Sequence, residues 1–247
     1  MDLSRSAQVA ARFAARADTY DRHATLQADV ADRLAAFLPE GAAPDVLEIG
    51  CGTGLLTRKL VAAYRQGRFL VTDLAPEMLT VCRRNVAARA GQSIRFALMN
   101  AEAPELPDRF DLIATSMALQ WMSDPVDALA RLRRLLRPGG SLVYATLGPE
   151  GFTEWRAALA AEGLADGTVQ MPALPGVVHE ERMTIAFGSA VSFLNRMKAI
   201  GAAEPRAGYR PLTPGALRTA LRRLDREHGA RVTWHLVYGR LEAVDSV

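Results

Sequence analysis

Apolar positions along this chain alternate between two rhythms. Short apolar-rich runs occur at 46–50, 69–73, 94–99, 110–116 and 141–147, and in the segments between most of them apolar residues recur at helical spacing. Runs of about four to eight residues bounded by turn signals predict buried strands, and recurrence at i, i+3 and i+4 predicts amphipathic helices. Helices are expected at 55–64, 76–90 and 124–136. Pro76 stands in a first helical turn with Glu77 beside the positive helix end, and Asp124-Pro125 caps the next helix. Arg137-Pro138-Gly139-Gly140 reads as a turn into the strand at 141–147. Ahead of the first strand, residues 5–17 put Val9, Phe13 and alanines on one helical face with Arg5, Arg12 and Arg16 elsewhere. A second helix, 26–38, is closed by Pro39-Glu40-Gly41. Beyond 147 the pattern predicts a helix at 151–163, a Gly- and Pro-rich loop at 164–182, a strand at 182–187 and a helix at 189–200. A helix opened by Thr213-Pro214 follows, to about 227, and then a long strand at 231–241.

Strand and helix alternating at this spacing build a parallel sheet covered on both faces. Right-handed crossovers then bring the C-terminal ends of the parallel strands to one edge. The expected fold is α/β: a Rossmann-like, doubly wound, mostly parallel sheet of about seven strands with helices on both faces, an N-terminal helical lid and a small C-terminal helical insertion. The expected organisation is 1–40 as the lid, 41–150 as the core and 151–247 as completion of the sheet with further helices.

Composition narrows this picture. A hydrophobic fraction of 49% in 247 residues supplies a full core. No apolar run approaches the roughly 20 residues of a membrane span. Residues 1–20 are rich in Ala and Arg like a transit peptide, but Asp2, Asp18 and the missing apolar stretch favour a helix. The two cysteines, Cys51 and Cys82, have neither disulfide-framework nor metal-ligand spacing, so no metal is expected and a reducing cytoplasm is the default. The net charge of +3 comes almost wholly from arginine, since Lys59 and Lys198 are the only lysines. Genome composition and an acidic partner account for this equally well.

The chemistry begins at Val46-Leu47-Glu48-Ile49-Gly50-Cys51-Gly52-Thr53-Gly54. Glycines at alternate positions after a strand let a ligand lie directly against backbone N–H groups. A dinucleotide fingerprint is G-x-G-x-x-G with a ribose-binding acid about 20 residues on. Here the third glycine comes one place early, Glu48 precedes the loop, and Asp73 ends the second strand. This pattern resembles the class I S-adenosylmethionine-dependent methyltransferases. The resemblance implies S-adenosylmethionine as cofactor, bound by Glu48, Gly50, Gly52, Gly54 and Asp73, with Asp73 on both ribose hydroxyls. A carboxylate suits a vicinal diol because its two oxygens accept two hydrogen bonds. It further implies that Leu74 and Met78 flank the adenine and that Asn100-Ala101 meets its polar edge, Asn100 standing where the family usually has Asp. Ser116, at the start of Ser116-Met117-Ala118-Leu119-Gln120-Trp121, lies at the floor of the site. Arg137-Pro138-Gly139-Gly140 is another family mark.

The acceptor is read separately. A hydroxyl or carbon nucleophile usually needs a general base, whereas a carboxylate is already ionised at pH 7. No His-Asp or Lys-Tyr pair is placed for base catalysis, His23 and His235 being the only histidines in plausible positions, which points towards a carboxylate. The chain also resembles the malonyl-[acyl-carrier protein] O-methyltransferases of biotin synthesis. The matching stretches are Tyr20-Asp21-Arg22-His23-Ala24 with Leu26-Gln27, Ala118-Leu119-Gln120-Trp121, Thr146-Leu147-Gly148-Pro149, 197–202 and Thr233-Trp234-His235-Leu236. That resemblance implies a malonyl thioester on acyl-carrier protein as substrate and partner. It implies Tyr20 on a lid near the reacting methyl, and Trp121 and Trp234 along an acyl channel. An arginine fork, Arg206 or Arg210, would hold the malonyl carboxylate. The short 164–182 segment implies a smaller cover than relatives carry.

Arg218, Arg222 and Arg226 form one helical stripe, and Arg131, Arg133, Arg134 and Arg137 a second basic surface; either could dock an acidic carrier or be a solvated face. A methyltransferase of another small acid such as aconitate, or of a quinone ring, is the second enzyme reading, and a non-catalytic cofactor-binding partner protein is the reading of another class. No motif suggests nucleic acid or membrane, and a monomer is expected.

Overall fold

The computed structural model describes residues 3–41, 44–200, 206 and 208–243. Asp2, Gly201 and Ala202, used in the sequence reading, lie outside the described residues. The elements in order are α1 (Leu3–Ala14), a 3-10 turn (Tyr20–Arg22), α2 (Thr25–Ala35), β1 (Asp45–Ile49), α3 (Leu55–Ala63), β2 (Gly67–Asp73), α4 (Pro76–Asn85), β3 (Gln92–Leu98) and β4 (Phe110–Ser116). A second 3-10 turn (Leu119–Trp121) follows, then α5 (Pro125–Arg133), β5 (Leu136–Leu147), α6 (Thr153–Ala161), β6 (Val177–Ala186), α7 (Ala190–Ala199), α8 (Pro214–His228) and β7 (Arg231–Glu242).

The seven strands lie in the order β3-β2-β1-β4-β5-β7-β6. The first five are parallel, with Leu47 opposite both Leu70 and Ile113. β7 runs against β5, since Ala243 N–H donates to Gly140 and Gly148 N–H to His235. It also runs against β6, since Arg240 N–H donates to Gly176 and Phe187 N–H to Ala230. The expected mostly parallel α/β sheet is therefore present, with seven strands. Among the described residues no helix is long and apolar enough to cross a membrane.

The chain forms two compact units. One comprises Met1–Thr146, Leu174–His179 and Tyr238–Val247. Its strands are buried apolar runs, Val46, Leu47 and Ile49 in β1, Leu112 to Ala114 in β4 and Leu142 to Ala145 in β5, as both-face covering requires. Within it α1 packs on α4, where Phe13 and Tyr20 lie against Ala17, Ala75, Met78 and Val81. The other unit comprises Leu147–Ala173 and Glu180–Val237. There α8 buries Ala220, Leu221 and Leu224 and packs against α6 and α7. Phe152 stands edge-on to Trp234 at 4.7 Å.

Five segments depart from the sequence reading. α4 ends at Asn85, short of the expected 90, because Val86 turns extended and packs where a Cβ on Gly54 would stand, 2.9 Å away, while Asn85 Nδ2 donates to Thr53 O. Residues 137–140 are part of β5 and not a turn: Gly139 takes a positive φ of 77° and the ladder slips between Phe110 and Leu112, as a bulge does. Residues 177–182, expected as loop, are the first half of β6. As an edge strand it is exposed along that half, so it shows no apolar period. Finally, two 3-10 turns, at Tyr20–Arg22 and Leu119–Trp121, were not foreseen.

At the N-terminal end of β1 the Asp45 carboxylate pairs with Arg68 of β2 and with Arg137 of β5 at 2.6 Å. Arg137 also reaches Asp111 of β4 at 2.8 Å, and Asp111 in turn accepts the Asp45 N–H. The Arg68 and Arg137 guanidinium groups hold the Asp45 carboxyl below its ordinary value. A depressed folded-state pKa contributes stability at pH values above the unfolded value, and that stability is lost as pH falls through the folded value. Asp45→Asn is accordingly expected to lower the melting temperature by a few degrees at pH 7. The gap to the parent protein should narrow as pH drops below about 4, which thermal scans across pH would show; a gap independent of pH would remove the electrostatic explanation.

Candidate functional site

A cleft of about 1050 Å³, counting the space at its open mouth, lies at the C-terminal ends of β1, β2, β3 and β4. The first unit supplies all of its lining, and the cleft depends on how the chain leaves β1. Gly50 turns with φ 66° so close to the segment after β4 that an added Cβ would stand 2.7 Å from Ala118 Cβ. Gly52 has φ 53° and faces open space, so the loop presents bare backbone to the cleft. Gly54 caps α3, and Val86 and Cys82 fill the volume a side chain there would need.

Asp73, at the end of β2, fixes this loop. Its Oδ2 accepts the Gly52 N–H at 2.8 Å and its Oδ1 the Ala75 N–H at 2.9 Å. Burial raises its pKa and the backbone N–H groups oppose that rise. With one hydrogen bond on each oxygen, each keeps acceptor capacity, which fits two vicinal hydroxyls. Leu74, Met78, Asn100, Ala101 and Ser116 also line the cleft. Asn100 Oδ1 already accepts the Glu102 N–H at 3.0 Å. Glu48 lies behind the loop and does not line the cleft. It is buried, and its oxygens have no hydrogen-bond partner among the described residues, the Thr57 hydroxyl being paired with Cys82 Sγ at 3.4 Å. Burial pushes its pKa well up, which favours its neutral form. The Cys51 thiol lines the cleft and is pushed up by its hydrogen bond to Cys82 and by burial.

Tyr20 and Trp121 both line the cleft, and Phe13 links them, its ring 6.1 Å from Tyr20 and 5.4 Å from Trp121. Burial, then the charges of Asp21 and Asp73, raise the Tyr20 hydroxyl pKa, so it stays protonated. Arg206 and Arg210 belong to the second unit. There Arg206 Nε donates to Asp166 O at 3.0 Å, and Arg210 is exposed. Trp234 and His235 belong to the same unit and are buried. His235 Nδ1 accepts the Glu150 N–H at 3.2 Å and its Nε2 lies 3.1 Å from Glu180, which fixes the tautomer with the proton on Nε2. Among the described residues no cluster of three or more His, Cys, Asp or Glu side chains is placed to hold a metal ion.

Several parts of the site were not singled out from sequence. Thr53, buried in the glycine loop, donates its hydroxyl to Asp21, and Arg58 approaches the same carboxylate at 3.9 Å. Met117 takes a positive φ of 55° on the cleft floor. Its carbonyl accepts from Gln120 Nε2 at 2.8 Å, and Gln120 Oε1 accepts from Thr146 at 2.9 Å. A buried Gln27 also lines the cleft. Asp21 and Gln27 stood inside recognisable stretches, but nothing local in the sequence marked what each faces.

Comparison with known proteins agrees with this geometry. A family model described as a methyltransferase domain matches residues 46–140, the span from β1 into β5. The chain is 43% identical over 244 residues to the biotin biosynthesis bifunctional protein BioCD of Bordetella avium; the alignment covers 94% of this chain and 51% of that protein, so the chain spans about half its length. The YcgJ protein of Bacillus subtilis has the same fold, with a TM-score of 0.62 at 15% identity over 87% of this chain and 99% of that one. The malonyl-[acyl-carrier protein] O-methyltransferase of Magnetococcus marinus is 37% identical over 251 residues, 96% of this chain and 92% of that protein. With a glycine loop, a strand-end acid and a relative matched along nearly its whole length, the chain belongs to the malonyl-[acyl-carrier protein] O-methyltransferase family.

Proposed function

We propose that the chain transfers the methyl group of S-adenosylmethionine to the free carboxylate of a malonyl thioester carried on acyl-carrier protein, an early step of biotin synthesis. The observation that carries the reading is the chemistry of the cleft: among the described residues its lining contains no lysine and no histidine, and its tyrosine is held protonated. Among the described lining residues, Asp73 is tied to two backbone N–H groups and Glu102 accepts the Ser123 N–H at 2.7 Å. A hydroxyl or ring-carbon acceptor would need a proton removed; a malonyl carboxylate, ionised above about pH 4, needs none. The Magnetococcus marinus relative, named for this activity, supports the same acceptor.

In this reading Asp73 holds the ribose hydroxyls, and Leu74 and Met78 flank the adenine. Asn100 and Ala101 meet the adenine's polar edge, Gly50 and Gly52 keep the loop open to the methionyl part, Gly54 lets the loop pack against Val86 and Cys82 without itself lining the cleft, and Ser116 lies on the floor. Glu48 supports the loop from behind. When bound, S-adenosylmethionine supplies a methyl on a sulfonium, and as the acceptor oxygen forms its bond to that carbon the C–S electron pair returns to sulfur. Tyr20 and Trp121 close the cleft and exclude water from the exchange. Arg210, whose guanidinium is exposed, is a better candidate than Arg206 for holding the malonyl carboxylate, because Arg206 is committed to the Asp166 carbonyl. The same reading places the enzyme in the cytoplasm, as a monomer.

For the carrier, the stripe on α8 is favoured. Arg218 and Arg222 are exposed, whereas Arg131 and Arg137 of the other basic surface are paired with Asp127, Asp45 and Asp111. Free arginines attract an acidic protein and speed its association in a salt-dependent way.

Three outcomes are expected. Incubation with S-adenosylmethionine and malonyl-acyl-carrier protein should add one methyl group to the carrier-bound acyl chain by mass spectrometry, and an unmodified thioester would refute the acceptor. Asp73→Asn, which replaces an acceptor with a donor facing an N–H, should weaken S-adenosylhomocysteine binding by on the order of 100-fold by calorimetry. Reversing Arg218 and Arg222 to Glu should slow turnover of the carrier-bound substrate by roughly 10-fold at low salt and leave a free malonyl thioester unaffected; equal loss on both substrates would count against docking.

A further inference from the structure

Between α7 and α8 the described residues, 206 and 208–213, form neither helix nor strand. They are nonetheless held firmly. Arg206 N–H donates to Gly167 O at 2.9 Å, Arg206 Nε to Asp166 O at 3.0 Å, and the Tyr209 hydroxyl to Ala165 O at 3.3 Å. All of these acceptors lie on one short stretch, 165–167, which is itself fixed. The Thr168 N–H and hydroxyl donate to the Asp166 carboxylate at 2.8 and 2.9 Å, and Arg156 of α6 reaches the same carboxylate at 3.2 Å. Arg156 also donates to Pro149 O at 2.8 Å, which ties the stretch back to the turn after β5. Gly167 does not have a left-handed backbone, so its need for glycine is one of space: an added Cβ would stand 2.8 Å from two carbons of the Tyr209 ring.

One side chain is left out of this clasp. Arg210 follows Tyr209, is exposed, and no hydrogen bond or ion pair engages it among the described residues. An arginine on a loose loop loses backbone and rotamer freedom when it binds an anion. One whose neighbouring backbone is already tied in place loses less, and the difference appears as affinity. The clasp stops one residue short of the guanidinium that the acceptor reading calls on. We propose that Gly167 and Tyr209 are positioning residues: by fastening residues 206 and 209 to 165–167 they set where Arg210 presents its guanidinium to the malonyl carboxylate. This deepens the acceptor reading above and rests on it. It also gives the start of the short 164–182 segment a task other than covering the acyl chain, since residues 165–167 act as a support.

Steady-state kinetics on malonyl-acyl-carrier protein, with calorimetry on S-adenosylhomocysteine alongside, tests it. Arg210→Gln should raise the KM for the carrier substrate by roughly 10-fold, the loss of a charge-assisted bond. Gly167→Ala, which pushes the Tyr209 ring away, should raise it by roughly 5-fold with kcat within about twofold of the parent. Tyr209→Phe, which keeps the ring and loses only the hydroxyl, should raise it by roughly 3-fold. S-adenosylhomocysteine, which has no malonyl group, should bind Gly167→Ala and Tyr209→Phe as tightly as the parent. The double variant decides the matter. Gly167→Ala added to Arg210→Gln should raise KM no further, because a residue that acts through Arg210 has nothing left to act on. Additive losses would make Gly167 merely structural and overturn the proposal, as would an unchanged KM in Gly167→Ala. Should Gly167→Ala also lose S-adenosylhomocysteine, Tyr209→Phe carries the same test, and its effect must vanish in the Arg210→Gln background. An unchanged KM in Arg210→Gln would remove Arg210 from the acceptor site, and the proposal with it, while leaving the malonyl reading in place. A parent protein that leaves the malonyl thioester unmethylated would overturn that reading and the proposal together.

Discussion

The hydrogen bond from the Gly52 N–H to the Asp73 carboxylate holds the site in its shape. It joins the loop after β1 to the end of β2, two segments the sheet already sets side by side. Around it the loop is closed by the Cys51 N–H on Thr72 O at 2.9 Å and the Gly54 N–H on Cys51 O at 2.9 Å, while the Thr72 hydroxyl donates to Glu48 O at 2.6 Å. Left-handed glycines permit this course, and the carboxylate fixes it. Burial raises both acids flanking the loop, and the backbone N–H groups that oppose the rise at Asp73 have no counterpart at the Glu48 oxygens.

The N-terminal segment is joined to this same loop. Asp21, in the 3-10 turn after α1, takes the hydroxyl of Thr53, whose carbonyl is held by Asn85 at the end of α4. α1 in turn lies on α4 through Phe13, Ala17 and Met78. Loop, strand-end acid, α4 and the first two helices therefore form one connected wall, and the aromatic residues of the cleft, Phe13, Tyr20 and Trp121, close onto it. The 3-10 turn meets the glycine loop at the Asp21–Thr53 hydrogen bond.

The parts legible in the sequence are those whose chemistry is local. β1, β4 and the latter part of β5 read clearly because both faces are buried and apolar residues dominate each run. β6 did not, because an edge strand has no covered face along Val177–His179 and so no period to read. The end of α4 was misplaced because packing against Gly54, and not helix propensity, stops it. Gly50, Gly52 and Asp73 were visible because a close backbone approach and a diol-binding acid each require particular residue types at particular spacing. Thr53 with Asp21, and the buried Gln27, depend on packing between segments distant in the chain, which no local pattern encodes. Arg206 shows the same limit: a guanidinium free for a substrate and one committed to a carbonyl are written with the same letter.

The composition of the cleft bears on the chemistry more than any one side chain does. Transfer of a methyl from a cationic donor to an anionic acceptor destroys two opposite charges. The ground state is therefore better solvated by water than the transition state, and a drier, less polar setting lowers the barrier. Val9, Phe13, Met78, Met99, Met117, Trp121 and Met122 all line this cleft, a surface that offers little to compete with the charge loss. Its polar lining includes the Asp73 and Glu102 carboxylates, the Asn100 amide and the Tyr20 and Ser116 hydroxyls. A site built to deprotonate a hydroxyl would need a base of matched pKa within reach; the proposed carboxylate arrives already ionised and needs only to be brought out of water.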